Sequence, residues 1–105
     1  RLFNRTYGRG GMEMKHKLTL YTQPNCMYCD MMKTKLDQWG YEYNVKDIKA
    51  DNDARAFIVI DEGHRVVPQL YYGKAHINPN INTEEYTQNI LEEYIGHLDS
   101  AHESI

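Results

Sequence analysis

Cys26 and Cys29 are the two cysteines of the chain, and only Met27 and Tyr28 stand between them. A disulfide across so short a loop constrains an unfolded chain very little, so the spacing suits thiol chemistry better than stapling. The reactive species in such chemistry is the thiolate. A free cysteine with a pKa of about 8.5 is only slightly ionised at neutral pH, whereas a Cys-x-x-Cys cysteine at a helix N-terminus is lowered to roughly 3.5–7.5. With a helix opening at this motif, Cys26 lies where unpaired N–H groups and the positive end of the helix dipole favour the charged sulfur. Cys26 is therefore the expected nucleophile. Cys29, one turn inward, is the expected resolving thiol, displacing a reduced product from a mixed disulfide on Cys26. Two readings compete: chance placement of two buried cysteines, and half of a zinc site. Zinc needs two further ligands, yet there is no second cysteine pair and the first histidine after Cys29 is His64. His64, His76, His97 and His102 read more simply as solvated surface. No metal site and no permanently bound cofactor is expected.

The elements around the motif decide between these readings. The stretch His16 to Thr22 alternates Leu18 and Leu20 with Thr19 and Tyr21, a period of two that predicts a first strand ended by Gln23-Pro24-Asn25. Cys29, Met32, Leu36 and Trp39 recur at helical intervals, with Asp30, Lys33, Lys35 and Asp37 on the wet side and Gly40 as the stop. Tyr41, Tyr43 and Val45 alternate with Glu42, Asn44 and Lys46, a second strand that completes a βαβ unit. Asp51 or Asn52 caps a second helix burying Ala54, Phe57 and Ile58 and ending at Gly63, although Phe57 to Ile60 taken alone also reads as a strand. Val66 to Tyr72 reads as a strand with an early proline, Gly73-Lys74 as a turn and Ala75 to Ile77 as its partner. Asn82 or Thr83 caps a last helix, with Glu85 in capping-box position and Tyr86, Ile90, Leu91, Tyr94, Ile95 and Leu98 as its apolar stripe. The order β-α-β-α-β-β-α predicts an α/β fold with one four-stranded mixed sheet flanked by helices on both faces. A Cys-x-x-Cys placed directly after the first strand of such a unit favours redox chemistry over zinc.

Pro68 opens a core strand without an N–H for the ladder; a cis Val67-Pro68 peptide facing the reactive loop explains it, and an ordinary trans edge proline explains it equally. At 105 residues the chain has room for one domain. Residues 1–13, which include the basic, glycine-rich RLFNRTYGRGG, read as a flexible arm or tag remnant, and residues 14–105 as the domain. Twelve Lys and Arg against fifteen Asp and Glu give a net charge of −3. That balance offers nothing to nucleic acid or anionic lipid, and no apolar run approaches a membrane span or signal peptide, so a cytoplasmic protein is expected; with no coiled coil and no exposed apolar stripe beyond the core faces, it is expected as a monomer.

The segment YTQPNCMYC resembles the active-site segment of the glutaredoxin family, usually Cys-Pro-Tyr-Cys, and VVPQLYYGKAHI resembles that family's Thr-Val-Pro segment and hairpin. The resemblance runs from Lys17 to about Leu98. It implies a thioredoxin fold, reduction of protein disulfides or glutathione mixed disulfides, glutathione as co-substrate, and electron donation to ribonucleotide reductase. Cys26 and Cys29 match the catalytic pair, Tyr28 the tyrosine lining the glutathione site, and Val67-Pro68 the cis-proline loop. Arg55 falls where the family carries a Gln or Arg for the glycine carboxylate of glutathione, and Gln23 where many members place a lysine. Met27 replaces the motif proline, and Asn78-Pro79 replaces a Gly-Gly pair that lets the backbone approach the γ-glutamyl carboxylate. Asn82 and Thr83 at the last helix's N-terminus are the remaining candidates for that anion, with Glu84 and Glu85 opposing it. Two alternatives stand beside this reading: a glutaredoxin-like redoxin recharged by thioredoxin reductase, and a protein sharing a [2Fe-2S] cluster between two subunits through Cys26 and glutathione.

Overall fold

The computed structural model describes residues 14–103; the expected arm at 1–13 lies outside the described residues. Strand β1 (Leu18–Thr22) leads into helix α1 (Met27–Gln38), strand β2 (Tyr43–Asp47), helix α2 (Asn52–Arg55), strands β3 (Gln69–Tyr72) and β4 (Ala75–His76), and helix α3 (Gln88–Glu103). The four strands form one sheet in the order β2-β1-β3-β4. Strand β1 pairs parallel with β2 and antiparallel with β3, which pairs antiparallel with β4.

Because side chains alternate across a pleat, the register sorts the residues by face. Leu20 pairs with Leu70 and Leu18 with Tyr72. These four join Met32 and Leu36 of α1 and Leu91 and Ile95 of α3 in one buried cluster. The opposite face carries Thr19, Tyr21, Gln69 and Tyr71. There Phe57 packs on Tyr21 and Tyr71 with ring centroids 5.5 and 5.3 Å away. Both faces are thus covered, and all four residues of β3 are buried.

Helix α1 stops as its sequence predicts. Gly40 takes φ 83°, its N–H donates to Asp37 O, and the Tyr41 N–H donates to Leu36 O, the paired bonds of a Schellman motif. Only glycine takes that left-handed backbone freely, and it turns Tyr41 into the core beside Leu36. Asp51 caps α2 through its Oδ1, which accepts from Ala54 N at 3.1 Å. The following Ala56–Asp61 is π-helical, so the β-branched run is helix and not strand.

Four expectations need correction. Strand β2 starts at Tyr43 rather than Tyr41, and Val45 is exposed: β2 is the sheet's edge, where alternation no longer reports a covered face. Strand β3 starts at Gln69 rather than Val66, because Pro68 has no N–H to add to the ladder and Val66 points to solvent. Strand β4 ends at His76, one residue short of Ile77, whose N–H still donates to Leu70 O. The last helix does not begin at Asn82 or Thr83. Thr83–Glu85 forms a 3-10 turn to which Asn82 gives no side-chain cap; Tyr86 is extended, and α3 starts at Gln88 with Thr87 Oγ1 accepting from Ile90 N at 3.2 Å. Tyr86 causes the break. Its ring is buried in the core and its hydroxyl donates to Ile77 O at 2.7 Å, a position a continuous helix would not allow.

Candidate active site

The turn between β1 and α1 places the two sulfurs unequally. Asn25, in the left-handed region at φ 58°, swings the chain from the strand into the helix, a conformation that asparagine tolerates better than most residues. Cys26 is the N-cap of α1, and its Sγ accepts the Cys29 N–H at 3.1 Å. One of the orphan donors of the helix end is therefore aimed at that sulfur, the contact that stabilises a thiolate over a thiol. Cys26 is half-buried, whereas Cys29 is fully buried on the stripe with Met32 and Leu36. The two form a disulfide with Cα atoms 5.2 Å apart.

Across from this turn the Val67-Pro68 peptide is cis, and Val67 O lies 3.8 Å from Cys26 Sγ. Asn78 braces that loop from within: its Oδ1 accepts from Leu70 N at 2.9 Å and its Nδ2 donates to Pro68 O at 3.4 Å. The side chain stands in for the ladder contact that a longer β4 would have provided. From Val67 an open groove of about 840 Å³ runs between Tyr28, Pro68 and the 78–84 segment, with Asn82, Thr83 and Glu84 in its lining. Lys35 ties that segment to α1, since its Nζ donates to the carbonyls of Thr83, Glu84 and Tyr86 at 2.6, 3.3 and 2.8 Å.

The structure thus gathers Tyr28, Val67, Pro68, Asn82 and Thr83 around one groove beside Cys26. Gln23 and Arg55 are not in that lining; Gln23 is half-buried before the motif and Arg55 is exposed at the end of α2. His64 and His76, expected on solvated surface, are instead half-buried and line the groove with rings 4.5 Å apart. Alternation hides this, because His76 sits on a two-residue strand stacked on Tyr71 and His64 in a loop. His97 is exposed as expected, and the His102 side chain lies outside the described residues. Among the described residues no group of three or more His, Cys, Asp or Glu side chains is disposed to hold a metal ion.

Residues 18–77, from β1 through the hairpin, match the glutaredoxin family model. The chain belongs to the glutaredoxin family. It is 36% identical over 62 residues to a glutaredoxin of Neisseria meningitidis serogroup A, covering 57% of this chain and 72% of that one. The solution structure of a Brucella melitensis glutaredoxin superposes with a TM-score of 0.55 at 31% identity, over 83% of this chain and 87% of that one. A buckwheat glutaredoxin–glutathione complex superposes with a TM-score of 0.57 at 22% identity, over 76% and 73%. The thioredoxin fold implied by the motif is the fold of this glutaredoxin-family chain.

Proposed function

We propose that this protein is a dithiol glutaredoxin that reduces protein disulfides or glutathione mixed disulfides, with Cys26 as nucleophile and Cys29 as resolving thiol. The carrying observation is the asymmetry of the pair: Cys26 Sγ receives a helix N-terminal N–H beside the cis-proline loop, while Cys29 is buried. Cys26 thiolate attacks one sulfur of a substrate disulfide; that bond breaks and the departing thiolate takes a proton. The Cys29 thiol then loses its proton and attacks Cys26 Sγ, releasing the second product thiol and leaving the Cys26–Cys29 disulfide. Two electrons have passed to the substrate, and two glutathione thiols return them as glutathione disulfide. Tyr28, Val67, Pro68, Asn82 and Thr83 are the proposed groove contacts for glutathione, with Gln23 and Arg55 as outlying candidates. The buckwheat relative's complex with glutathione supports that co-substrate. Ribonucleotide reductase is a proposed recipient of the electrons, and the cytoplasm, where thiols are kept reduced, is the proposed location.

One observation favours a second reading. The anion site expected for the γ-glutamyl carboxylate is not at a long helix's N-terminus, because α3 starts five residues after Thr83. Recharging by thioredoxin reductase requires no such site. The test measures recovery of the reduced pair with NADPH, through glutathione and glutathione reductase or through thioredoxin reductase alone. Recovery through glutathione is the expected result; recovery only through thioredoxin reductase establishes the redoxin reading. Undiminished turnover by Cys26→Ser in either system would defeat the assignment of Cys26.

A further inference from the structure

His64 and His76 line the same groove as Val67 and Pro68 and have no role assigned above. Their tautomers follow from their neighbours. Gln69 Nε2 donates to Val66 O at 3.0 Å, which turns Gln69 Oε1 toward His76 Nε2 at 2.6 Å. An amide oxygen only accepts, so His76 Nε2 carries a hydrogen. The Tyr71 hydroxyl donates to Glu62 Oε1 at 2.7 Å and therefore accepts from His64 Nε2 at 3.0 Å. With both Nε2 atoms serving as donors, a proton taken up by either ring goes to Nδ1.

Two imidazoles with centroids 4.5 Å apart do not both hold a charge readily. Burial, and then His64, hold His76 below the ordinary imidazole range, and the Asn78 side chain and Glu62 oppose them without restoring it. The titratable groups at the pair are Tyr71 from β3 and Glu62 just past the π-helical turn, while Glu84 from the 3-10 turn and Tyr28 from α1 line the same groove. Glu62 is already engaged by Tyr71, and of the groove-lining residues Glu84 alone is an acid.

We infer that the His64–His76 pair is a subsite for a carboxylate on the disulfide substrate, one that holds the acidic group when the pair has taken up a single proton. The inference rests on the reading of Cys26 as nucleophile and deepens it by naming a substrate class, disulfides flanked by acidic residues. A carboxylate placed beside the pair stabilises the imidazolium that burial disfavours, so binding takes up a proton and strengthens as pH falls.

The test compares reduction of two peptide disulfides, identical except for Asp or Asn next to the reacting cysteine, at pH 6 and pH 8. The ratio of the two rates cancels the titration of Cys26. Wild type should prefer the Asp peptide about tenfold at pH 6, the scale of one charge-assisted hydrogen bond in a half-buried site, and lose that preference by pH 8. His64→Asn and His76→Asn should each bring the ratio near one at both pH values. A wild-type ratio near one at pH 6, or a variant that keeps the wild-type ratio and its pH dependence, overturns the inference. The wild-type comparison decides alone should either variant fail to fold. Failure to reduce both peptides would instead refute the proposed oxidoreductase activity.

Discussion

Cys29 has no exposed surface and its N–H is already given to Cys26 Sγ, so it meets only a sulfur held on Cys26. Replacing it should therefore stop the cycle after the first exchange. Cys29→Ser is expected to accumulate a mixed disulfide on Cys26 with dithiol-dependent substrates, visible as the added mass of the substrate thiol; free turnover without that adduct would show that Cys29 does not resolve it. Asn78 is the other residue whose effect is local and calculable. Removing its amide leaves Leu70 N–H and Pro68 O without their buried partner, and such orphaned groups cost about 1–3 kcal/mol. Asn78→Ala should lower the unfolding free energy by that amount, read as a fall in the urea midpoint at unchanged slope, whereas an unchanged midpoint would mean that water fills the place. Both residues stood in the sequence as plainly as the motif. Only the first had a spacing that announced chemistry; Asn78 looked like a departure from a Gly-Gly pair, and its bonds cross from one strand to another.

At the scale of elements, the periodic segments emerged where a single buried face generated the period. Strand β1 shows its alternation in full, and α1 ends at the glycine that closes its Schellman motif. The last helix starts later than its sequence predicts because Asn82, Thr83 and Glu85 carry the capping signature while Tyr86 obeys a long-range demand, its hydroxyl reaching Ile77 O. The corrected boundary makes a paired prediction. Thr87→Ala should destabilise the protein by about 1 kcal/mol, the usual worth of an N-cap side chain, and Asn82→Ala should leave stability nearly unchanged. Chemical denaturation of the two variants checks the difference, and a larger loss from Asn82 would place the helix cap at Asn82 instead.

The whole molecule adds a charge-linked term to stability through its buried phenols. Tyr72 is buried, donates to Asp99 at 2.8 Å and accepts from Lys15 and His16 N–H groups. Burial, with Asp99 opposing the backbone donors, pushes its pKa up to about 12. The folded state keeps this proton while the unfolded chain releases it near pH 10, so the contribution is whole below pH 10 and is lost as pH rises from 10 towards 12. Its full size is on the order of 2 kcal/mol. Tyr72→Phe should show a shallower alkaline loss of stability than wild type, measured by denaturation at pH 9 and pH 11; parallel slopes would assign that loss to other groups.

The sequence by itself determined the close cysteine pair, the βαβ unit that presents it, the order of the elements and the family, because each is written in short-range spacing: a helix period, a strand period, a two-residue gap between cysteines. Tertiary structure alone decided which polar residues share the groove. His64 and His76 are twelve residues apart and meet through Tyr71. Asn78 reaches back to Pro68, and Lys35 crosses from α1 to the carbonyls of the 83–86 segment. These contacts satisfy hydrogen-bonding groups brought together by the closing of the sheet, and no local pattern encodes a partner that only the folded chain supplies.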